Sequence, residues 1–203
     1  LLNLSVLDAA GNSLRNLLVA SVISLSLAWV LSNRRVGLAV LFPIGISPVV
    51  IGLVALVLSG YLPNGFSSSW VLLPLVQSIF LTPLAYQVVA PARKTLSGEM
   101  LEAAKLDGAN GIQLFGLIEL PVLRRPVLSA LALVSLGSLG EFGAASFLAY
   151  GSQATMPLVM FRLMSRPGSE NLGMAMLAAS LLILFALVLV WAISSGRNQH
   201  PSH

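Results

Sequence analysis

Glu102, Ala103 and Ala104 are followed after three residues by Gly108 and, nine residues further on, by Ile118, Leu120 and Pro121. A second carboxylate, Glu141, stands alone in an apolar run beside Gly137, Gly140 and Gly143. Neither arrangement suits covalent catalysis. There is no cysteine, and the two histidines, His200 and His203, lie in a polar tail where no serine nucleophile has a base beside it. No Gly-x-x-x-x-Gly-Lys-Ser/Thr phosphate loop occurs, and the apolar runs hold no cluster of His, Asp and Glu. The chain is read as a non-enzyme that needs no metal and no cofactor. The first arrangement suits recognition instead. Ser97 can cap a short helix, Glu99 and Glu102 suit the positive end of its dipole, and Gly108 is a natural left-handed stop. Met100, Leu101 and Ala104 share one face of that helix, opposite Glu99, Glu102 and Lys105. So short a helix is marginal alone in water and needs a surface to hold it. That surface is either a groove on a soluble partner or the lipid headgroups.

The rest of the chain must carry this polar segment, and its composition says how. Of 203 residues 57% are hydrophobic and 9% charged, against roughly 25% charged in soluble domains. The mean hydropathy is +0.92. From Val36 to Ala92 there is no Asp, Glu, Lys or Arg, a run of 57 residues. A spanning helix needs roughly 20 apolar residues, so that run holds two spans and a turn. The net charge of +4 does not point to nucleic acid, because the basic residues flank apolar runs and do not gather on one face. The expectation is an all-α polytopic membrane protein with membrane lipid as its surroundings.

Five spans are expected, at about 16–32, 36–59, 70–89, 126–149 and 171–194, in one domain without internal repeat or linker. If the segment 97–121 is cytoplasmic, Arg34, Arg35, Arg93, Lys94, Lys105, Arg124, Arg125 and Arg197 lie inside and only Arg15, Arg162 and Arg166 outside. That is the positive-inside bias, with the N-terminus outside and the C-terminus inside. Trp70 and Trp191 then serve as anchors at opposite interfaces. Leu1–Gly11 has no basic region and does not read as a signal peptide; the absence of an initiator Met reads as a fragment or the later part of a longer polypeptide. Pro43, Pro48, Pro74 and Pro83 remove backbone donors inside spans two and three. They either bend helices around a pathway or serve as ordinary packing kinks. The segment 150–170 is expected outside, with a short surface helix that contacts either a binding protein or the membrane.

The spacing Glu102-Ala103-Ala104, Gly108, Ile118-x-Leu120-Pro121 resembles the EAA loop of ABC-importer permeases of the MetI-like fold, without a gap. The resemblance implies a transmembrane permease in which this loop is a coupling helix seated in a cleft on an ATP-binding subunit. It implies two ATP-binding subunits, a second permease half, fused or identical, and an extracytoplasmic substrate-binding protein in a bacterial inner membrane. Leu139-Gly140-Glu141-Phe142-Gly143-Ala144, together with Phe161-Arg162-Leu163 and Arg166-Pro167-Gly168, looks like the ferric-iron and thiamine importers, in which two halves often share one chain. This chain is similar to the second half, and the iron type is the closer likeness.

Glu141 is read in two ways. As a costly intramembrane carboxylate it marks the translocation path, with Gly140, Gly143 and Pro48 as companions at a gate and a small-residue face for the second half. Otherwise it bonds backbone amides at a helix break and is structural. A different class of function, a secondary transporter driven by an ion gradient, would need midplane ion ligands, and Glu141 is the one residue that offers itself.

Overall fold

The computed structural model describes residues 6–34, 37–61, 70–96, 106, 108 and 110–198. Among these the regular structure is helical throughout: α1 Val6–Ser32, a 3-10 helix Gly37–Gly45, α2 Pro48–Ser59, α3 Leu72–Lys94, α4 Gly111–Leu114, a π turn Phe115–Glu119, α5 Leu120–Leu139, α6 Gly143–Leu148, a 3-10 turn Gly151–Gln153, α7 Met156–Met164 and α8 Ser169–Asn198. The all-α architecture expected from composition is the one observed, with helices long and apolar enough to cross a membrane.

Helices α1, α3 and α5 form the centre. Their facing sides carry small and weakly polar residues: Ala20, Ser21, Ser24 and Ala28 on α1, Ser78 and Ala85 on α3, Ala130, Val134 and Ser135 on α5, all buried. Small side chains let backbones approach closely where no hydrophobic gain separates a helix face from lipid. Ser21 and Ser135 meet across α1 and α5, Oγ to Oγ 3.4 Å. A second cluster at the other end joins Leu72, Leu73 and Val76 of α3 with Ala144, Ala145 and Leu148 of α6 and Met156, Leu158 and Val159 of α7. Helix α8 packs on α5 and α7 with one side. Most of its apolar surface, including Ile183, Leu184, Leu187 and Trp191, is exposed.

Three of the expected spans are single helices long and apolar enough to cross a bilayer: α1, α3 and α8. The other two differ from expectation. Segment two is not one straight span; the stretches Ala39–Gly45 and Pro48–Ser59 meet at 98°. Pro48 does not kink a helix interior. It opens α2 at a first-turn position, where no amide partner is lost. Pro74 likewise sits in the first turn of α3, and Pro83 is the one of the pair inside that helix. Segment four starts at Leu120, six residues earlier than expected, and stops at Gly140, so that α6 is a separate short helix. The expected external helix exists as α7, but Met156, Leu158 and Val159 bury one face of it in the core.

Helix α2 lies across α6 at backbone contact. A Cβ added at Gly52 would fall 2.6 Å from the Ala144 Cα, and one at Gly143 would fall 2.8 Å from Val49 Cγ2 and 3.0 Å from its amide nitrogen. Overpacking of this kind costs roughly 1–3 kcal/mol. Gly52→Val should therefore lower the melting temperature of the detergent-purified protein clearly, whereas Gly11→Ala, with open space around it, should not.

Candidate functional site

Two sites emerge, one at each end of the bundle. At the first, the C-terminal ends of α1 and α3 lie side by side and α5 starts between them. Glu102, Ala103 and Ala104 lie outside the described residues, as do Ser97 and Glu99. Gly108 is described, at φ +83°, the left-handed conformation its position behind the Glu-Ala-Ala triplet calls for. Leu106, two residues earlier, exposes 88% of its surface, an apolar side chain presented away from the bundle.

Beyond Gly108 the chain does not cross the surface as a loop. Asn110 accepts from the Gln113 amide through Oδ1 at 2.9 Å, while the Asn110 amide donates to Gln113 Oε1 at 3.0 Å. This reciprocal capping box starts α4. The signal was present in the sequence as Asn110 with Gln113 three residues on. Helix then continues through the π turn into α5, so Ile118, Leu120 and Pro121 are helical and do not form a loop. Pro121 has no amide to offer the carbonyl four residues back, so a regular α-helix cannot pass through it intact. The wider π turn ends two residues before it, at Glu119.

That turn buries Glu119 against Arg93. Arg93 Nη2 donates to Glu119 Oε1 at 2.7 Å and Oε2 at 2.8 Å. Its Nη1 donates to the Trp29 carbonyl at 3.1 Å and to Ser32 Oγ at 3.2 Å. The guanidinium lies 4.7 Å from the centroid of the Trp29 ring, which meets Phe115 edge-on at 5.0 Å. No local pattern marks this pair, because its members are 26 residues apart and only helix register joins them.

The second site surrounds Glu141, in the break between α5 and α6. Its Oε1 accepts from the Ala144 amide at 2.6 Å and its Oε2 from the Ala145 amide at 3.2 Å. Gln77 Nε2 donates to Oε2 at 3.4 Å, and Ser138 Oγ donates to Gln77 Oε1 at 2.9 Å. The carboxyl group thus occupies the start of α6 and accepts from two of its freed amides, and the residue is 6% exposed. Gly140 ends α5, and Gly143 lets α2 approach. Gly137 faces Leu81 of α3. Glu141, Gly143 and the start of α2 at Pro48 and Val49 are therefore brought together; the contacts observed for these glycines are within the chain.

Several Arg residues sit toward this second end. Arg15 stacks 5.0 Å from the centroid of Trp70 and keeps a buried Nε with no hydrogen-bond partner among the described residues. Arg162 donates to the Ala149 carbonyl at 3.3 Å, and Arg166 is exposed in the turn behind α7. This end is tied to α1 by Asn12, which donates to the Ser152 and Ala154 carbonyls, and by Ser13, which accepts from the Met156 amide. An open groove of about 380 Å³ between α1 and α8 is lined by Leu7, Leu14, Leu139, Met156, Leu182 and Phe185 among others, with no charged side chain in it.

The sequence pattern that defines binding-protein-dependent transport system inner membrane components matches residues 17–195, which takes in every helix of this bundle at least in part. The chain belongs to that family. The permease is 30% identical over 203 residues to the sulfate transport system permease protein CysW of Synechocystis sp., covering 90% of this chain and 73% of that one. It is 29% identical over 208 residues to the molybdenum transport system permease protein ModB of Haemophilus influenzae, covering 93% and 86%. It is 29% identical over 190 residues to the sulfate transport system permease protein CysT of Salmonella typhimurium, covering 82% and 68%. The permease is therefore a membrane component of an ABC importer, and its family is one of transport permeases and not of enzymes. The expectation of an iron or thiamine type gains no support from these relatives, whose names point to sulfate and molybdenum.

Proposed function

We propose that this permease forms half of the path of an ATP-driven importer for a tetrahedral oxyanion, sulfate or molybdate, and takes its drive from one of two ATP-binding subunits, docked on the segment 97–121, the other serving the second half. The observation that carries the reading is Gly108 at φ +83°, at the family spacing behind Glu102-Ala103-Ala104, next to the bundle end where Arg34, Arg93, Lys94, Arg124 and Arg125 gather. Those basic residues favour that end as cytoplasmic, with the N-terminus outside and the C-terminus inside. Leu106 offers the partner an apolar contact.

A second permease half, identical or fused, completes the path. The groove within this chain is apolar and offers an anion nothing to exchange for its water, whereas α8 and the 3-10 helix with α2 expose much of their surface. The break at Glu141, with Gly140, Gly143 and Pro48, is the gate element in this reading: it fixes the angle of α2 and α6 where they would border the path. At the opposite end from the loop Arg15, Arg162 and Arg166 stand with Asp8, Glu141 and Glu170, so the oxyanion reading rests on the sulfate and molybdenum relatives and not on the charge of that end. An extracytoplasmic binding protein would deliver the substrate there.

The test is purification of the complex from its native membrane and reconstitution in vesicles with the co-purifying ATPase and binding protein. Labelled sulfate or molybdate uptake should stop on ATP depletion and persist with an uncoupler. Uptake that stops with the uncoupler alone would support ion-coupled secondary transport, and uptake of ferric iron in place of either oxyanion would overturn the substrate assignment.

A further inference from the structure

We infer that Arg93 and Glu119 are the joint through which movement of the segment 95–110 reaches the membrane helices, so that they set how tightly ATP hydrolysis is coupled to uptake. The inference rests on the reading of that segment as the ATPase-docking element. It concerns two residues outside the Glu-Ala-Ala and Gly positions of the docking pattern.

One guanidinium holds three elements. Arg93 lies in the last turn of α3 and meets both carboxylate oxygens of Glu119 in the π turn, at 2.7 and 2.8 Å. With its other nitrogen it reaches the Trp29 carbonyl and Ser32 Oγ in the last turn of α1. A cation there also suits the negative end of the α1 dipole and one of its orphan carbonyls. Arg93 stands three residues before Leu96, the last described residue on one flank of that segment, and Glu119 nine residues after Asn110 on the other, so the ion pair ties the two flanks together. The pair joins those flanks to each other and to α1, so that a displacement of either one is shared by α1, α3 and α5.

The pair's environment argues against a purely stabilising purpose. Both side chains are nearly buried, at 11% and 8% exposure. Burying two charges costs about as much as their attraction returns, and well-packed apolar residues serve stability equally well or better. One nitrogen holds both carboxylate oxygens while the other holds α1, and what that division adds is fixed orientation among three elements. Here it holds the π turn, itself a costly departure from α geometry of the kind found at functional sites, against the ends of two other helices. Trp29 and Phe115, edge to face at 5.0 Å, cover the pair on the side of α1.

The pair would keep the entry to α5 and the exits of α1 and α3 moving as one body. Without it the π turn can yield locally when the docked segment is displaced, and hydrolysis proceeds without moving the helices beyond. Arg93 and Glu119 are positioning residues in this account; neither touches substrate or nucleotide.

The experiment uses the complete reconstituted complex and reads ATP hydrolysed per substrate imported. Glu119→Gln keeps the shape and removes the charge; Arg93→Lys keeps the charge and removes the second nitrogen that holds α1. Both should retain the ATPase subunits and hydrolyse ATP at close to the unmodified rate, while uptake falls about tenfold, a typical coupling magnitude. If either variant assembles and keeps the unmodified ratio, including the case in which uptake and hydrolysis fall together, the inference is overturned. If Glu119→Gln does not assemble, Arg93→Lys decides alone; if neither assembles, the pair is structural and the inference fails. An unmodified complex that imports without bound ATPase would instead remove the docking reading itself, a separable result.

Discussion

Gly108→Val is expected to abolish ATP-driven uptake while leaving the helical bundle folded. Gly108 holds φ +83°, and among the described residues nothing lies within 4 Å of where a Cβ would be. The penalty is therefore conformational and not a clash. A β-branched residue is a true outlier there, and such strain costs roughly 1–3 kcal/mol. If the segment relaxes to avoid the strain, its two flanks no longer present the docking surface together. Each 1.4 kcal/mol taken from docking weakens it about tenfold. The series should run Gly, Asn, Ala, Val in falling uptake, because Asn enters the left-handed region most readily of the three replacements. Binding of the ATPase, read by co-purification, should fall in the same order, with the melting temperature of the permease alone nearly constant. Equal uptake by the Val and Asn variants would contradict the role given to this turn.

Glu141→Ala should produce the largest loss of stability of any single change considered. It leaves the Ala144 and Ala145 amides and the Gln77 side-chain amide without their acceptor in a buried site. An orphaned buried donor costs about 1–3 kcal/mol. Removing the anchor of the α5–α6 break also frees the angle at which α2 lies on α6. Glu141→Gln is the informative partner. It keeps one acceptor for the Ala144 amide, and a flip of Gln77 can restore a second bond, while the Ala145 amide loses its acceptor, so its melting temperature should fall by less than that of Glu141→Ala. If Glu141 serves the path, uptake by this variant falls while the ATPase stays bound and active. If Glu141 serves only the break, uptake follows thermal stability across both variants. Measured together, uptake and melting temperature separate these roles.

Much of the architecture was legible from the order of residues. A run of 57 uncharged residues and a mean hydropathy of +0.92 left no alternative to a helical membrane protein. Gly108 could be read as left-handed because a helix ending at that spacing requires it. The breakers in segment two were visible as Pro43, Gly45 and Pro48. That they produce a 98° bend follows from where α6 lies, and α6 contacts α2 across some ninety residues of sequence. The same holds for Glu141. Its two possible roles were both legible, but the cap on α6 depends on a break after Gly140 that periodicity alone does not show. The helical course of 111–121 was missed although Asn110 and Gln113 announced it, since Gly111, Gly116 and Pro121 together read as loop. Arg93 and Glu119 carried no local signal at all. Arg93 read as a topology marker and Glu119 as an unspecified position between Ile118 and Leu120. Pairing between distant helices is decided by register and packing, which local patterns do not encode.

The central claim is that the segment around Ala103 is gripped by an ATP-hydrolysing subunit on the inner face of the membrane. The chain has no cysteine, so Ala103→Cys provides a unique attachment point for a thiol-reactive crosslinker. In native membranes the account predicts capture of the ATP-binding subunit from this position, with a yield that changes when nucleotide is bound. Absence of any such adduct, or labelling of the same cysteine by a membrane-impermeant reagent from outside intact cells, would contradict it.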